Sequence, residues 1–358
     1  MTNHTKGAYM YLSMFLFLFS FGFLVLFNLR FRPNKSVFLN RQNTQALRGF
    51  ASLIVVLVHI PAAYQNPIQD AIGSFAYIGV TFFFFISAFG IQCNLIRQSN
   101  YLKDFWKRRL PSLLIPMLLT NLFTIMFRFL HHEEVSFSSL FSLNSWVLIL
   151  LLFYVVFWFV NWFFDKMHTT HRLYADITIC VLVLAYSLLG HLFDIPKSWA
   201  CESIGLLYGI ILANYLDSFY KTKTNHWQLK TLILAFSSIV IGLLYLRFKA
   251  IFFWGSYCLK VILGLLVLLL LFHIETRFDF HNPISLYLGK ISYSTYLLHD
   301  LSFSIVESLF PSVGSGFFIW ISLLITFLIA SLNTVLSGKT EQSVRTLLSR
   351  KRKLQSEN

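Results

Sequence analysis

The chain has 358 residues, of which 56% are apolar and only 12% charged, with forty phenylalanines and a formal charge of +14. A soluble domain carries about twice that charged fraction, so composition excludes an ordinary soluble enzyme. It points to an all-α, polytopic transmembrane helix bundle.

Apolar runs long enough to cross a bilayer predict about eleven spans: 8–29, 46–64, 73–96, 110–130, 144–165, 174–193, 199–219, 230–247, 251–273, 284–308 and 315–337. The first is too long for a cleaved signal peptide. Only Lys6 supplies a basic side chain before it, and Arg30, Arg32 and Lys35 follow it directly, so it reads as an uncleaved anchor. With its basic loop it forms an N-terminal unit, 1–42. The bundle proper follows as 43–337, and 338–358 is a basic tail expected to rest on the inner leaflet.

The second span, Leu47-Arg48-Gly49-Phe50-Ala51-Ser52-Leu53-Ile54-Val55-Val56-Leu57-Val58-His59, is the most informative. Eleven residues at about 100° each return nearly to the starting direction, so Arg48 and His59 share a helix face roughly 16 Å apart. An ionisable residue inside a membrane helix is costly and reads as part of a site or pathway. The competing reading makes Arg48 an interfacial anchor and His59 a satisfied core histidine.

Basic loop residues give the orientation. One set of alternate loops holds Arg30, Arg32, Lys35 and Arg41, then Arg97, Lys103, Lys107, Arg108 and Arg109, then Lys166, Arg172, Lys221, Lys223 and Arg277. The tail adds Arg345, Arg350, Lys351, Arg352 and Lys353. Loops 65–72, 131–143 and 309–314 have neither Lys nor Arg, and Lys197, Arg247 and Lys249 are the exceptions. The N-terminus is therefore expected outside the membrane and the C-terminus inside. This bias and anionic lipid account for the charge, with no nucleic-acid partner required.

Other polar residues are sparse. Cys93, Cys180, Cys201 and Cys258 fall in different spans without CxxC spacing and read as small core residues. Glu202 and Arg128 lie towards the outer face, where each is a candidate for lining a pocket or for snorkelling to the interface. His299 and Asp300, in the tenth span, fit substrate binding or interhelical hydrogen bonding. His131-His132-Glu133-Glu134 lacks metal-ligand spacing and reads as a solvated loop, so no metal site is expected.

Four motifs now occur in order. After the Asn43–His59 stretch come Ile78-Gly79-Val80-Thr81-Phe82-Phe83-Phe84-Phe85-Ile86-Ser87-Ala88-Phe89, then Phe105-Trp106-Lys107-Arg108-Arg109-Leu110 with Pro116. Near the end stands Leu288-Gly289-Lys290-Ile291-Ser292-Tyr293-Ser294-Thr295-Tyr296-Leu297-Leu298-His299. Together they resemble the acyltransferase-3 family of integral membrane acyltransferases, over roughly residues 43–335. Ser145-Trp146 and Tyr154 resemble the Trp–Tyr helix of members that modify polysaccharides. Ala88 departs from the usual glycine, and Thr81 stands where an acidic or polar residue is common.

The resemblance implies an acyl-CoA-dependent O-acyltransferase, with acetyl-CoA as donor substrate and no permanently bound cofactor. A surface or lipid-linked glycan would be the acceptor, with membrane lipid around the bundle. On that reading His59 is the general base, and Arg48 is catalytic and pairs with donor phosphates. Arg108 and Arg109 would bind the nucleotide end, although ordinary anchoring suits them equally. Glu202, Trp146, Tyr154, Ser87 and His299 are the expected substrate-binding residues. A transporter or flippase for a lipid-linked saccharide is the alternative, although the repeated halves and paired broken helices of many transporters are not evident.

Overall fold

The computed structural model describes residues 3–32, 39–65, 69, 72–167, 172–221 and 226–356. Lys35 and Lys223 of the basic loops lie outside them, as do the side chains of Lys6, Lys221, Arg350, Lys351, Arg352 and Lys353. Of the described residues 83% are helical. Its helices are α1 (Asn3–Leu26), α2 (Arg41–Val58), α3 (Tyr77–Arg97), α4 (Phe105–Leu130), α5 (Ser145–Lys166) and α6 (Arg172–Leu192). They continue with α7 (Ala200–Asn214), the short α8 (Leu216–Lys221), α9 (Trp227–Phe248), α10 (Lys260–Glu275), α11 (Pro283–Leu309) and α12 (Ser315–Ser356).

Every predicted span coincides with a helix, and the deviations have local causes. The second span was expected to run to 64, but α2 stops at Val58. Pro61 disfavours helical backbone at the residue before it and lacks an N–H. Arg48 is correspondingly not at the helix start, because α2 already begins at Arg41 with Asn40 as its cap, the Asn40 side chain accepting from the Asn43 N–H at 2.7 Å. The tail begins as a continuation of α12, which runs as helix to Ser356.

Among the described residues, seven helices are long and apolar enough to cross a membrane. They are α3, α5, α6 and α9, then α4 and α10 with their extensions Tyr101–Leu130 and Trp254–Glu275, and α12 over Ser315–Leu347. α1 and α7 contain shorter apolar stretches, Met14–Leu26 and Ala200–Asn214. α2 and α11 are in neither group, since both carry polar residues into the interior: Asn43 and Ser52 on α2, and Ser285, Ser292, Thr295 and Ser302 on α11.

Two helix pairs form the centre, each built on backbone-to-backbone approach. α2 meets α11 at Gly49 and Gly289. A Cβ on Gly49 would lie 2.9 Å from the Gly289 nitrogen and 2.9 Å from the Ser285 carbonyl, and one on Gly289 would run into the Gln45 carbonyl. α7 lies against α3 through Gly205 and Gly209, a GxxxG pair of the kind that lets membrane helices approach closely.

The N-terminal span packs against this core. Met14 and Phe17 of α1 are buried with Leu53, Leu57, Leu298 and Phe318. At its far end Arg30–Phe31 pairs antiparallel with Phe278–Asp279, with Arg30 opposite Asp279. A polar knot closes this end of the bundle. Asp279 accepts from Arg32 at 2.8 Å and from Asn43 Nδ2 at 3.1 Å. Asn282 donates to the Leu24 and Phe27 carbonyls while capping α11 reciprocally with Ser285.

Candidate active site

Residues from α2, α3, α4, α5 and α11 surround a cavity of about 290 Å³. Arg48, Arg109, Ser87, Trp146 and Tyr154 all line it, so five of the nominated residues converge although they come from four helices. Arg48 is partly buried, and its Nε is enclosed without a hydrogen-bond partner. Arg109 is held by Tyr101, whose hydroxyl accepts from Arg109 Nη2 at 2.9 Å and from its Nε at 3.2 Å. No carboxylate is among the lining residues. Two guanidinium groups facing one cavity with no acidic counter-charge make a site for an anion.

The structure adds Ser112, Ser292, Tyr293 and Tyr296 to the lining. Tyr293 donates to the Leu113 carbonyl at 2.8 Å, joining α11 to α4. Its position, like those of Ser292 and Tyr296, belongs to the motif near the end of the sequence. Ser292, Tyr296 and His299 follow one another at four and three residues, the spacing of one helix face. That periodicity was the signal that could have nominated Ser292 and Tyr296 with His299.

His59 does not line the cavity. It caps the C-terminus of α2, exposed, with its ring beside that of His299 in a T-shaped contact at 4.8 Å. The His59 Nδ1 lies 2.8 Å from the Val55 carbonyl. A carbonyl only accepts, so Nδ1 carries the proton and Nε2 the lone pair, which leaves Nε2 available as a base. His299 repeats the arrangement one helix away. It is 4% exposed, its Nδ1 lies 2.6 Å from the Tyr296 carbonyl, and its Nε2 lies 3.3 Å from Asp300 without making a hydrogen bond.

Tyr296 connects the two regions. Its ring is 5.8 Å from His299 and 5.3 Å from Trp146, and it forms part of the cavity wall. A continuous line therefore runs from Arg109 and Arg48, past Trp146 and Tyr296, to His299 and His59. Eleven residues along α2 make the Arg48–His59 separation roughly 16 Å.

Two nominated residues lie elsewhere. Arg108 is exposed and donates to Gln98 Oε1 at 3.1 Å, outside the cavity lining. Glu202 is buried in an ion pair with Lys260 of α10 at 2.7 Å, and the Lys260 ammonium sits 4.8 Å over the Tyr77 ring. Its partner was missed because Lys260 falls in an otherwise apolar run, where a lysine is itself a signal of pairing. Arg128 pairs with Glu133 at 3.0 Å at the surface, and His131 contacts Ser308 of α11 at 2.6 Å.

The model of an acyltransferase domain, that of the acyltransferase-3 family, matches residues 41–337. No curated protein and no solved structure matches the chain. The matched range begins at the first residue of α2 and omits α1.

Proposed function

This chain belongs to the acyltransferase-3 family, being matched over residues 41–337, and from that premise we propose an O-acyltransferase that moves acetyl from acetyl-CoA to a hydroxyl of a surface or lipid-linked glycan. The observation that carries the donor assignment is the carboxylate-free cavity faced by Arg48 and Arg109. Phosphates are the anions that guanidinium forks bind bidentately. The pantetheine arm then runs along the cavity, past Tyr296, bringing the thioester towards His59 at the other end of α2.

The acceptor approaches from the end at which His59 is exposed. His59 Nε2 takes the proton of the acceptor hydroxyl as that oxygen attacks the thioester carbonyl carbon. Collapse of the tetrahedral intermediate breaks the carbon–sulfur bond. The proton passes from the imidazolium to the departing thiolate, so ester and CoA thiol leave and the histidine is restored. His299 packs against the ring, and the Val55 carbonyl keeps the required tautomer in place. The rule of basic loops sets the Arg48 end in the cytoplasm, where acyl-CoA is made, and the His59 end outside a cell membrane.

Mass analysis of surface glycans from cells with the gene, without it, and with His59→Ala tests this. Loss of an alkali-labile acetyl mass in both altered strains is expected. Full acetylation in His59→Ala removes the base assignment, and unchanged acetylation without the gene removes the glycan acceptor.

A further inference from the structure

A second cavity, of about 270 Å³, lies between the 98–104 segment, the last turns of α5 and the start of α6. Lys103, Arg172, Asp165, Asn161, Asn100 and Ser99 supply its polar lining. Arg172 is unusual for a basic residue near a membrane surface. Such side chains ordinarily snorkel until their N–H groups reach water, yet Arg172 Nε and Nη2 are both enclosed and without hydrogen-bond partners.

The acid one turn along α6 is already engaged. Asp176 accepts from Gln92 Nε2 at 2.7 Å through Oδ1 and from Asn214 Nδ2 at 2.9 Å through Oδ2. Among the described residues no carboxylate oxygen lies within 4.0 Å of Arg172, and Asp165 of the cavity wall is not paired with it. On a half-buried arginine, two enclosed nitrogens with open donors are costly to maintain unless an anion meets them.

One short helix touches residues of both cavities. In the short helix Tyr101–Asp104, the Tyr101 hydroxyl holds Arg109 in the first cavity, while Leu102 and Lys103 line the second. Two neighbouring anion sites match a ligand that carries phosphate at two separated points, as CoA does with its diphosphate and 3′-phosphate.

We propose that the Lys103–Arg172 cavity is a second phosphate-binding site. Its phosphate comes from the nucleotide end of the donor, a source that rests on the acyl-CoA reading above, or from an anionic phospholipid headgroup, a source that does not.

Full-length protein in nanodiscs, with and without phosphatidylglycerol, distinguishes these. Binding of CoA and of 3′-dephospho-CoA is measured alongside retained phosphatidylglycerol, for the wild type, Arg172→Gln and Lys103→Gln. For a donor phosphate, Arg172→Gln weakens CoA about tenfold or more, the effect of one lost charge-assisted hydrogen bond, and leaves 3′-dephospho-CoA nearly unaffected. For a lipid phosphate, retained phosphatidylglycerol falls and CoA affinity holds. If Arg172→Gln keeps its melting temperature and changes neither quantity, the site is refuted. Should that variant fail to fold, Lys103→Gln, at an exposed position in the short helix, decides by the same readouts. A wild type that binds no CoA refutes the acyl-CoA reading, and the lipid measurement alone then decides this site.

Discussion

Gly49→Ala is the most informative perturbation of the frame that carries Arg48 and His59. A Cβ there lies 2.9 Å from two backbone atoms of α11 and 3.0 Å from Leu288 Cβ, whereas ordinary contacts begin at 3.4 Å. Backbone on the facing helix cannot rotate away, so α2 and α11 must separate by about 0.5 Å. Overpacking of this kind costs about 1–3 kcal/mol. A catalytic constellation tolerates only about 0.5 Å of displacement, and a 1 Å misplacement can cost about a hundredfold in rate. Gly49→Ala is therefore expected to lose roughly tenfold in acetyl transfer. Gly289→Ala, whose Cβ would run into the Gln45 carbonyl, loses about a hundredfold or more. Gly90→Ala on α3 meets nothing within 4 Å and is the control, neutral or stabilised by about 1 kcal/mol through helix propensity. The assay is acetyl transfer per folded protein, with thermal unfolding in the same detergent. Wild-type transfer in Gly289→Ala, or a loss in Gly90→Ala equal to that in Gly49→Ala, refutes the reasoning.

Arg48→Lys keeps the charge but loses the planar fork, so CoA affinity is expected to fall about tenfold while unfolding is unchanged, and an unaltered affinity would remove Arg48 from the donor site. Glu202→Gln leaves Lys260 without its counter-charge. Lys260 is about a fifth exposed, which holds the destabilisation to about 2–4 kcal/mol, below that of a fully buried pair. Replacing both, Glu202→Gln with Lys260→Met, restores much of the loss, and a double variant worse than the sum of its parts in thermal unfolding would show that the pair is not what the single substitution breaks.

Much of this arrangement was legible in the sequence because bilayer spans and helix faces are local properties. The Arg48–His59 pair, the Ile78–Phe89 run, the Trp146–Tyr154 helix and the motif around Gly289 were each visible as strings, and five of the nominated residues do meet in one cavity. What the strings did not carry was direction. Arg108 and Arg109 are adjacent, so they point about 100° apart on α4. One faces the cavity and the other solvent, and only the packing of α4 against α11 decides which. Glu202 reads in the sequence as a pocket or interface residue, and its ion-pair partner Lys260 lies 58 residues away on another helix. The end of α2 was within reach of the sequence: Pro61 argued for a stop before Ile60, against the apolarity that suggested continuation.

α2 and α11 are too polar to face lipid for long, and that is the physical basis for the site's position. Much of their polarity is settled internally, with Ser52, Ser292 and Ser302 donating to the Gly49, Gly289 and Leu298 carbonyls at 2.8, 2.9 and 3.0 Å. Hydroxyls bonded back to their own helix cost little inside a bundle. Against that background, four of the enclosed atoms without hydrogen bonds lie on or beside these two helices and the cavity: Arg48 Nε, Trp146 Nε1, Thr295 Oγ1 and His299 Nε2. Arg48 and Trp146 border the cavity, and Thr295 stands one turn before His299 on α11. Buried polar groups are ordinarily satisfied. A set left open along the proposed route from the Arg48–Arg109 cavity to His59 is what a bundle would keep if donor and acceptor complete those bonds. Trp146→Phe, which removes one of these donors and keeps the ring, should then weaken substrate binding without lowering the melting temperature. A variant that is more stable and equally active would show that this N–H has no partner to meet.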